Sequence, residues 1–230
     1  MMTTTIKQIY TELSNKDLLP TDHIKYLESL KKQGFEPKTI YDIGSCVLHW
    51  TRHAKRIWPN AEIILFDANP HCTFLYEGYK YYNGILSNIS NKQIKFYLNE
   101  FSPGGASYYR EIGSLYSAEL YPKNRYYNVP SMRLDDVVSK YQFPKPELIK
   151  MDVQGAEKDI LEGGFETMKN TKHLIMELPK KNIRYNENAP TAEETIKLAN
   201  DLGWTCTAPL FSDNGTYDGD YGFSRNVNDC

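Results

Sequence analysis

Four short apolar runs set the terms for how this chain folds: KTIYDIG (38–44), EIILFD (62–67), ELIKMD (147–152) and HLIMEL (173–178). Each has the length of a strand. Each is apolar without the two-residue alternation of a half-exposed strand, so each reads as buried on both faces. Helical patterns separate them: Val47–Trp58 closed by Pro59, Ala156–Leu161, and Ala192–Leu202 after the last run. Strands that alternate with helices predict an α/β fold with a mostly parallel, doubly wound sheet and helices on both faces. In such sheets ligands bind beyond the carboxyl ends of the strands, near the switch in strand order. Each of the four runs carries an acid at or near that end: Asp42, Asp67, Asp152 and Glu177.

The remaining elements are weaker. Ile6–Leu13 and His23–Lys32 show helical spacing, predicting an N-terminal helical extension over residues 1–37 ahead of one domain over 38–230. A third strand is expected at Tyr81–Leu86 and a more exposed one at Ile94–Leu98, with weaker strands near Trp204–Thr207 and Gly222–Arg225. Residues 99–130 are irregular and rich in Gly, Ser, Tyr and Pro, the composition of a lid or binding loop.

Composition narrows the function classes. With 230 residues, 40% hydrophobic, one sizeable core is within reach. A net charge of −2 argues against a dedicated nucleic-acid binder. Cys46, Cys72, Cys206 and Cys230 form no CxxC pair, which points to a reducing compartment and away from a zinc site. No signal-peptide core and no membrane-length apolar run is present, so a cytoplasmic protein is expected.

The first two strands describe a nucleoside site. Gly44 lets the backbone approach a ligand, and Asp67, roughly 25 residues after Asp42, is placed to accept hydrogen bonds from ribose hydroxyls. A dinucleotide needs a glycine-rich turn for its pyrophosphate. Here Gly44-Ser45-Cys46-Val47-Leu48 has one glycine, and Val47 and Leu48 crowd that space. A phosphate-free adenosine bearing a sulfonium and an amino-acid tail suits Asp42, Gly44, Ser45, Asp67 and Ala68 better. Ser87 and Asn88, after the third strand, are candidates for the adenine edge.

YDIGSCVLHWT, ILFDANP, GILSN, SPGGAS, MRLDDVV and LIKMDVQGAEKDILEGG follow in the order seen in FkbM-type S-adenosylmethionine-dependent methyltransferases, which the chain resembles from about Ile40 to Leu178. The resemblance implies a Rossmann-like seven-stranded fold, S-adenosylmethionine as cofactor, and methylation of hydroxyls on sugars or similar small acceptors. It places cofactor contacts at Asp42, Gly44, Ser45, Asp67 and Ser87. The chain departs from the family at Leu48, where a second glycine is usual, at Cys46 for Asn, and at Gln154 for Glu.

A hydroxyl needs a base or a metal to attack a methyl group near neutral pH. Lys150 and Asp152 share one face of their strand, so they can pair. Asp152 is the first candidate for the base, with Lys150, Glu177 and Glu157 as further catalytic candidates. Glu157 is equally suited to capping a helix start. Asp152 and Glu177 together are candidate ligands for Mg²⁺ or Mn²⁺. Tyr108, Tyr109 and Arg110 of the tyrosine-rich insert, with His49 beside the first loop, are expected at the acceptor, a glycan or small hydroxylated molecule. Stacking on RNA bases and simple packing are the other readings of the insert, behind acceptor binding because the segment leads directly toward the catalytic strands. An RNA methyltransferase and a nicotinamide-dependent oxidoreductase remain as alternatives. The missing base-amine motif Asn/Asp-Pro-Pro-Tyr/Phe weighs against the first and the missing Gly-x-Gly-x-x-Gly against the second.

Overall fold

A computed structural model describes residues 4–181, 183–215 and 217–225; Cys230 lies outside them. The chain opens with helices α1 (Thr4–Asn15) and α2 (Thr21–Lys32). Strand β1 (Thr39–Ile43), helix α3 (His49–Ile57), strand β2 (Glu62–Asp67) and strand β3 (Lys80–Asn83) follow. Next come β4 (Ile85–Leu86), β5 (Gln93–Phe96), the short helix α4 (Ser117–Leu120), β6 (Tyr127–Met132) and α5 (Leu134–Tyr141). The second half runs β7 (Leu148–Met151), α6 (Glu157–Gly163), α7 (Phe165–Met168), β8 (His173–Pro179), α8 (Ala192–Asp201), β9 (Thr205–Asp213) and β10 (Asp218–Ser224).

Seven strands form one sheet in the order β3-β2-β1-β7-β8-β10-β9. The first five are parallel, and β10 runs antiparallel between β8 and β9. This is the Rossmann-like architecture expected. The order reverses between β1 and β7, so the switch point lies where Gly44 and Asp152 leave adjacent strands. Both β1 and β7 are buried along their whole length, which explains why Asp42 and Lys150 are the only charged residues in them.

Helices cover both faces. On one face Tyr41, Ile43, Ile149 and Met151 pack with α5, α6 and α8. On the other, Ile40, Leu148 and Ile175 pack with Ile6, Tyr10, Leu27 and Leu30 of the N-terminal helices. The N-terminal hairpin therefore shares the central core, and burial of such side chains contributes about 1.5–3 kcal/mol each. Helix α8 starts with a reciprocal capping box between Thr191 and Glu194, worth about 1 kcal/mol.

Three elements differ from the sequence expectation. The third strand divides at Gly84: Lys80–Asn83 pairs with β2, while Ile85–Leu86 leaves to pair with β6 in a second, three-stranded sheet β4-β6-β5. Part of the irregular stretch is strand β6, whose partners lie more than thirty residues away and leave no local signal. The C-terminal strands are longer than expected and form one hairpin with β-bulges. Pro209 sits in its edge strand, the position where a sheet tolerates proline. No described helix is long and apolar enough to cross a membrane.

Candidate active site

A cavity of about 660 Å³ opens over the carboxyl ends of β1 and β7. Its first end is built around Gly44, which has φ +85°, and a Cβ there would overlap the carbonyl oxygen of Asp152. Only glycine lets the loop after β1 pass so close to the end of β7. Asp67 then fixes that loop from the neighbouring strand. Its Oδ2 accepts from the Cys46 N–H at 2.7 Å and its Oδ1 from the Asn69 N–H at 2.7 Å. Burial pushes the Asp67 carboxyl up to about 6, against the lowering effect of those two donors. Gly44, Ser45, Cys46, Asp67 and Ala68 line the cavity, with Phe66, Ile85, Leu86 and Phe96 supplying an apolar wall.

The second end holds the charge that the sequence places at β7. Lys150 is 4% exposed and donates to Asp152 Oδ2 at 2.7 Å. Gln154, in the left-handed region at φ +56°, turns its amide back between two carboxyl groups. Its Nε2 donates to Asp152 Oδ1 at 3.0 Å and to Glu177 Oε2 at 2.7 Å. Asn214 Nδ2 donates to Glu177 Oε1 at 2.7 Å. Burial opposes ionisation of Asp152, but the Lys150 charge and the donors around the carboxylate outweigh it and hold Asp152 down at about 2. Burial first, and the Asp152 charge second, push Glu177 well above the usual carboxylate range. The two carboxyls are thus driven apart: Lys150 and the surrounding donors favour the ionised form of Asp152, and burial favours the protonated form of Glu177. Burial would lower the Lys150 ammonium, yet the charges of Asp152 and Asp42 and the hydrogen bond to Asp152 raise it, so the protonated form is favoured.

Other candidate residues lie elsewhere. Asp42 is buried beneath the loop, takes a hydrogen bond from Thr51, and does not line the cavity. Ser87 and Asn88 also miss it: the division of the strand at Gly84 brings residues 84–86 to the wall instead, and Asn88 turns outward to Glu162. Glu157 is 2% exposed and accepts from the Val153 and Gly155 N–H groups, so it braces the 153–155 turn from below. Burial pushes its carboxyl up to about 7. Tyr108 lines the cavity while Tyr109 does not, and both hydroxyls donate to Asp159 Oδ2, at 2.8 and 2.9 Å. Arg110 points away, paired with Glu187 at 3.0 Å. His49 lines the cavity, but its Nε2 is engaged with the Leu13 carbonyl at 2.8 Å.

Residues 41–203 match the methyltransferase FkbM domain. The chain belongs to the FkbM methyltransferase family. One stretch of 50 residues is 44% identical to the 2-O-methyltransferase NoeI of Sinorhizobium fredii, covering 22% of this chain and 21% of that relative. The matched segment thus spans about a fifth of the relative's length. The O-methyltransferase from Bacillus cereus in complex with SAH superposes with a TM-score of 0.51 at 11% identity, over 98% of this chain and 93% of that one. It shares the fold. The FkbM methyltransferase from Methylobacillus flagellatus KT superposes with a TM-score of 0.49 at 9% identity, over 94% of this chain and 58% of that one.

In this FkbM-family chain Asp152 and Glu177, the candidate ligands for a divalent cation, are bridged by the Gln154 amide, and the Lys150 ammonium is paired with Asp152. Among the described residues no group of three or more His, Cys, Asp or Glu side chains gathers to hold a metal. Among the cavity residues that the sequence did not make legible are His23, Trp50, Asn214 and Asp220. Asp220 stands opposite Glu177 in the β10–β8 register, and its acidic strand position was the one available signal. Asn214 belongs to an Asn-Gly turn, and His23 to an ordinary amphipathic helix.

Proposed function

We propose that the chain transfers a methyl group from S-adenosylmethionine to a hydroxyl of a sugar or similar small acceptor. The observation that carries this reading is one cavity with two chemically different ends. A glycine loop with Asp67 and an apolar wall stands at one end, and a buried carboxyl pair bridged by the Gln154 amide stands at the other.

Asp67, Ala68, Gly44 and the wall of Ile85 and Leu86 would hold the adenosine part. Gly44 supports the fit, because a side chain there would meet the Asp152 carbonyl and push the loop out toward the cavity. When bound, S-adenosylmethionine supplies an electrophilic methyl group. The acceptor hydroxyl becomes strongly acidic as its oxygen takes on a new bond to carbon, so a weak base suffices to remove its proton. Asp152 receives that proton at Oδ1, with the Gln154 amide giving way. Lys150 keeps Asp152 ionised beforehand, and the Gln154 amide holds it beside Glu177. This acid-rich end also disfavours a phosphate-bearing acceptor such as RNA. A single glycine in the first loop still weighs against a dinucleotide.

Calorimetry with S-adenosylhomocysteine tests the reading. The wild type should bind, and Asp67→Ala should weaken binding by about tenfold or more. Asp152→Asn should keep that affinity and lose methyl transfer to a panel of methyl glycosides by about 100-fold or more. No binding by the wild type would sink the cofactor assignment; full turnover by Asp152→Asn would move the base elsewhere.

A further inference from the structure

We propose that His23, on the N-terminal hairpin, is a positioning residue for the Asp152–Glu177 pair, reaching it through Asp220 and Asn214. This inference rests on the reading of that pair as the reacting end of the cavity.

A continuous line of hydrogen bonds connects the two. The Trp50 indole N–H donates to His23 Nε2 at 2.8 Å. An indole nitrogen only donates, so His23 Nε2 accepts and the ring proton sits on Nδ1. His23 Nδ1 lies 3.2 Å from Asp220 Oδ2 and donates to it. The same Oδ2 accepts from Asn214 Nδ2 at 3.3 Å, whose other hydrogen goes to Glu177 Oε1 at 2.7 Å. Gln154 repeats the arrangement between Glu177 and Asp152. Two amides thus clamp three carboxyl groups in a row. A pure donor closes each end of the row: Trp50 acting through His23, and Lys150. His23, Trp50, Lys150, Asp152, Gln154, Glu177, Asn214 and Asp220 all line the one cavity.

The fold holds His23 in this place. One helical turn further along α2, Tyr26 stacks on Phe211 of β9 with ring centroids 4.0 Å apart. Tyr26 sits over Gly222 of β10, where a Cβ would overlap its hydroxyl. Phe211 also meets the His23 ring edge-on at 5.2 Å. The seat at Gly222 sets the register of α2 on the hairpin, and so delivers His23, 1% exposed, to Asp220. Without the Nδ1 donor, Asp220 draws the Asn214 amide toward itself and away from Glu177. Gln154 then loses its fixed partner. A histidine that merely filled a gap in the core would not transmit such a change across two amides.

The side-chain amide signals of Asn214 and Gln154 in ¹H–¹⁵N spectra report this directly and need no ligand. Asn214→Ala and Gln154→Ala assign them. His23→Leu keeps the bulk and removes both hydrogen bonds, and should displace both amide pairs. His23→Gln offers one acceptor and one donor, and should leave both pairs near their wild-type positions. Unmoved Gln154 signals in a folded His23→Leu protein would overturn the proposal, and so would equal displacement in the two variants. If His23→Leu does not fold, Trp50→Phe serves in its place: it frees the ring from its fixed orientation and should move the same signals, and unmoved signals there overturn the proposal. On any methyl glycoside that the wild type methylates, His23→Leu should lower kcat by about ten- to a hundredfold, restored by His23→Gln; an unchanged kcat overturns the proposal. Absence of S-adenosylhomocysteine binding by the wild type would instead break the cofactor reading and leave the amide result standing.

Discussion

The glycine-loop end of the cavity is made by backbone, and the acid end is made by side chains. At the first, the Asp67 carboxylate receives main-chain N–H groups of Cys46 and Asn69, and Gly44 packs against the main chain of Asp152. All of it comes from two strand ends that pair directly in register, β1 and β2, and from the adjoining end of β7. At the second, Lys150, Asp152, Gln154, Glu177, Asn214, Asp220 and His23 come from α2, from three different strands and from the loops between them. A backbone-made site responds to sterics. A side-chain-made site responds to charge and to the loss of any one donor. The difference gives each end its own characteristic way to fail.

The largest expected effect belongs to the acid end. Lys150→Met removes a buried cation and leaves Asp152 and Asp42 facing each other without it. Breaking a buried pair in this way costs about 3–5 kcal/mol. Both carboxyls escape part of that cost by taking up protons at low pH. Urea unfolding of Lys150→Met should therefore show a deficit that is small near pH 4 and grows toward pH 8. A deficit independent of pH would mean that packing of the lysine stem, not its charge, holds the site.

At the glycine-loop end the expected failure is steric. Gly44→Ala sets a Cβ against the Asp152 carbonyl and leaves an L-residue at φ +85°. Overpacking and left-handed strain together cost on the order of 3 kcal/mol, with no dependence on pH. S-adenosylhomocysteine affinity should fall with stability, because the loop must move out toward the cavity. A folded Gly44→Ala protein with wild-type affinity would show that the loop is not the binding cradle.

The contrast also explains what the sequence made legible. The sheet was readable because fully buried parallel strands are apolar throughout, and the runs at 39–43, 62–67, 148–151 and 173–179 carry that mark without tertiary help. The Gly44–Asp67 constellation was readable because its parts lie at adjoining strand ends. Ser87 and Asn88 were misplaced because the third strand changes sheets at Gly84, and the partner it changes to, β6, is some 45 residues away. His23, Asn214 and Asp220 left almost no trace, since helix docking and an antiparallel hairpin assemble them from opposite ends of the chain. The tyrosine-rich insert divides between the two: Phe101, Ser102 and Tyr108 line the cavity, while the hydroxyls of Tyr108 and Tyr109 bond to Asp159 and that of Tyr121 to the Ser102 carbonyl, partners that composition does not reveal.

The smallest effect lies between the two ends, at Glu157, under the turn that joins them. Its carboxyl accepts two main-chain N–H groups at 3.0 and 3.1 Å, yet burial still pushes it up to about 7 from an ordinary 4.5. A carboxyl raised in the folded state binds its proton more tightly there than in the unfolded chain. Its contribution to stability is therefore complete below about pH 4.5 and is lost as pH rises through about 7. Asp67, raised to about 6, adds to the same downward slope in the wild type, so the slope alone does not isolate Glu157. Its difference from Glu157→Gln does. The variant keeps one oxygen to brace the turn and has no proton to lose, so its stability relative to wild type should improve between pH 5 and pH 8. Thermal unfolding of the two proteins across that range measures the difference. A wild-type and a variant curve that run parallel would show that the 153–155 turn holds Glu157 in one protonation state throughout.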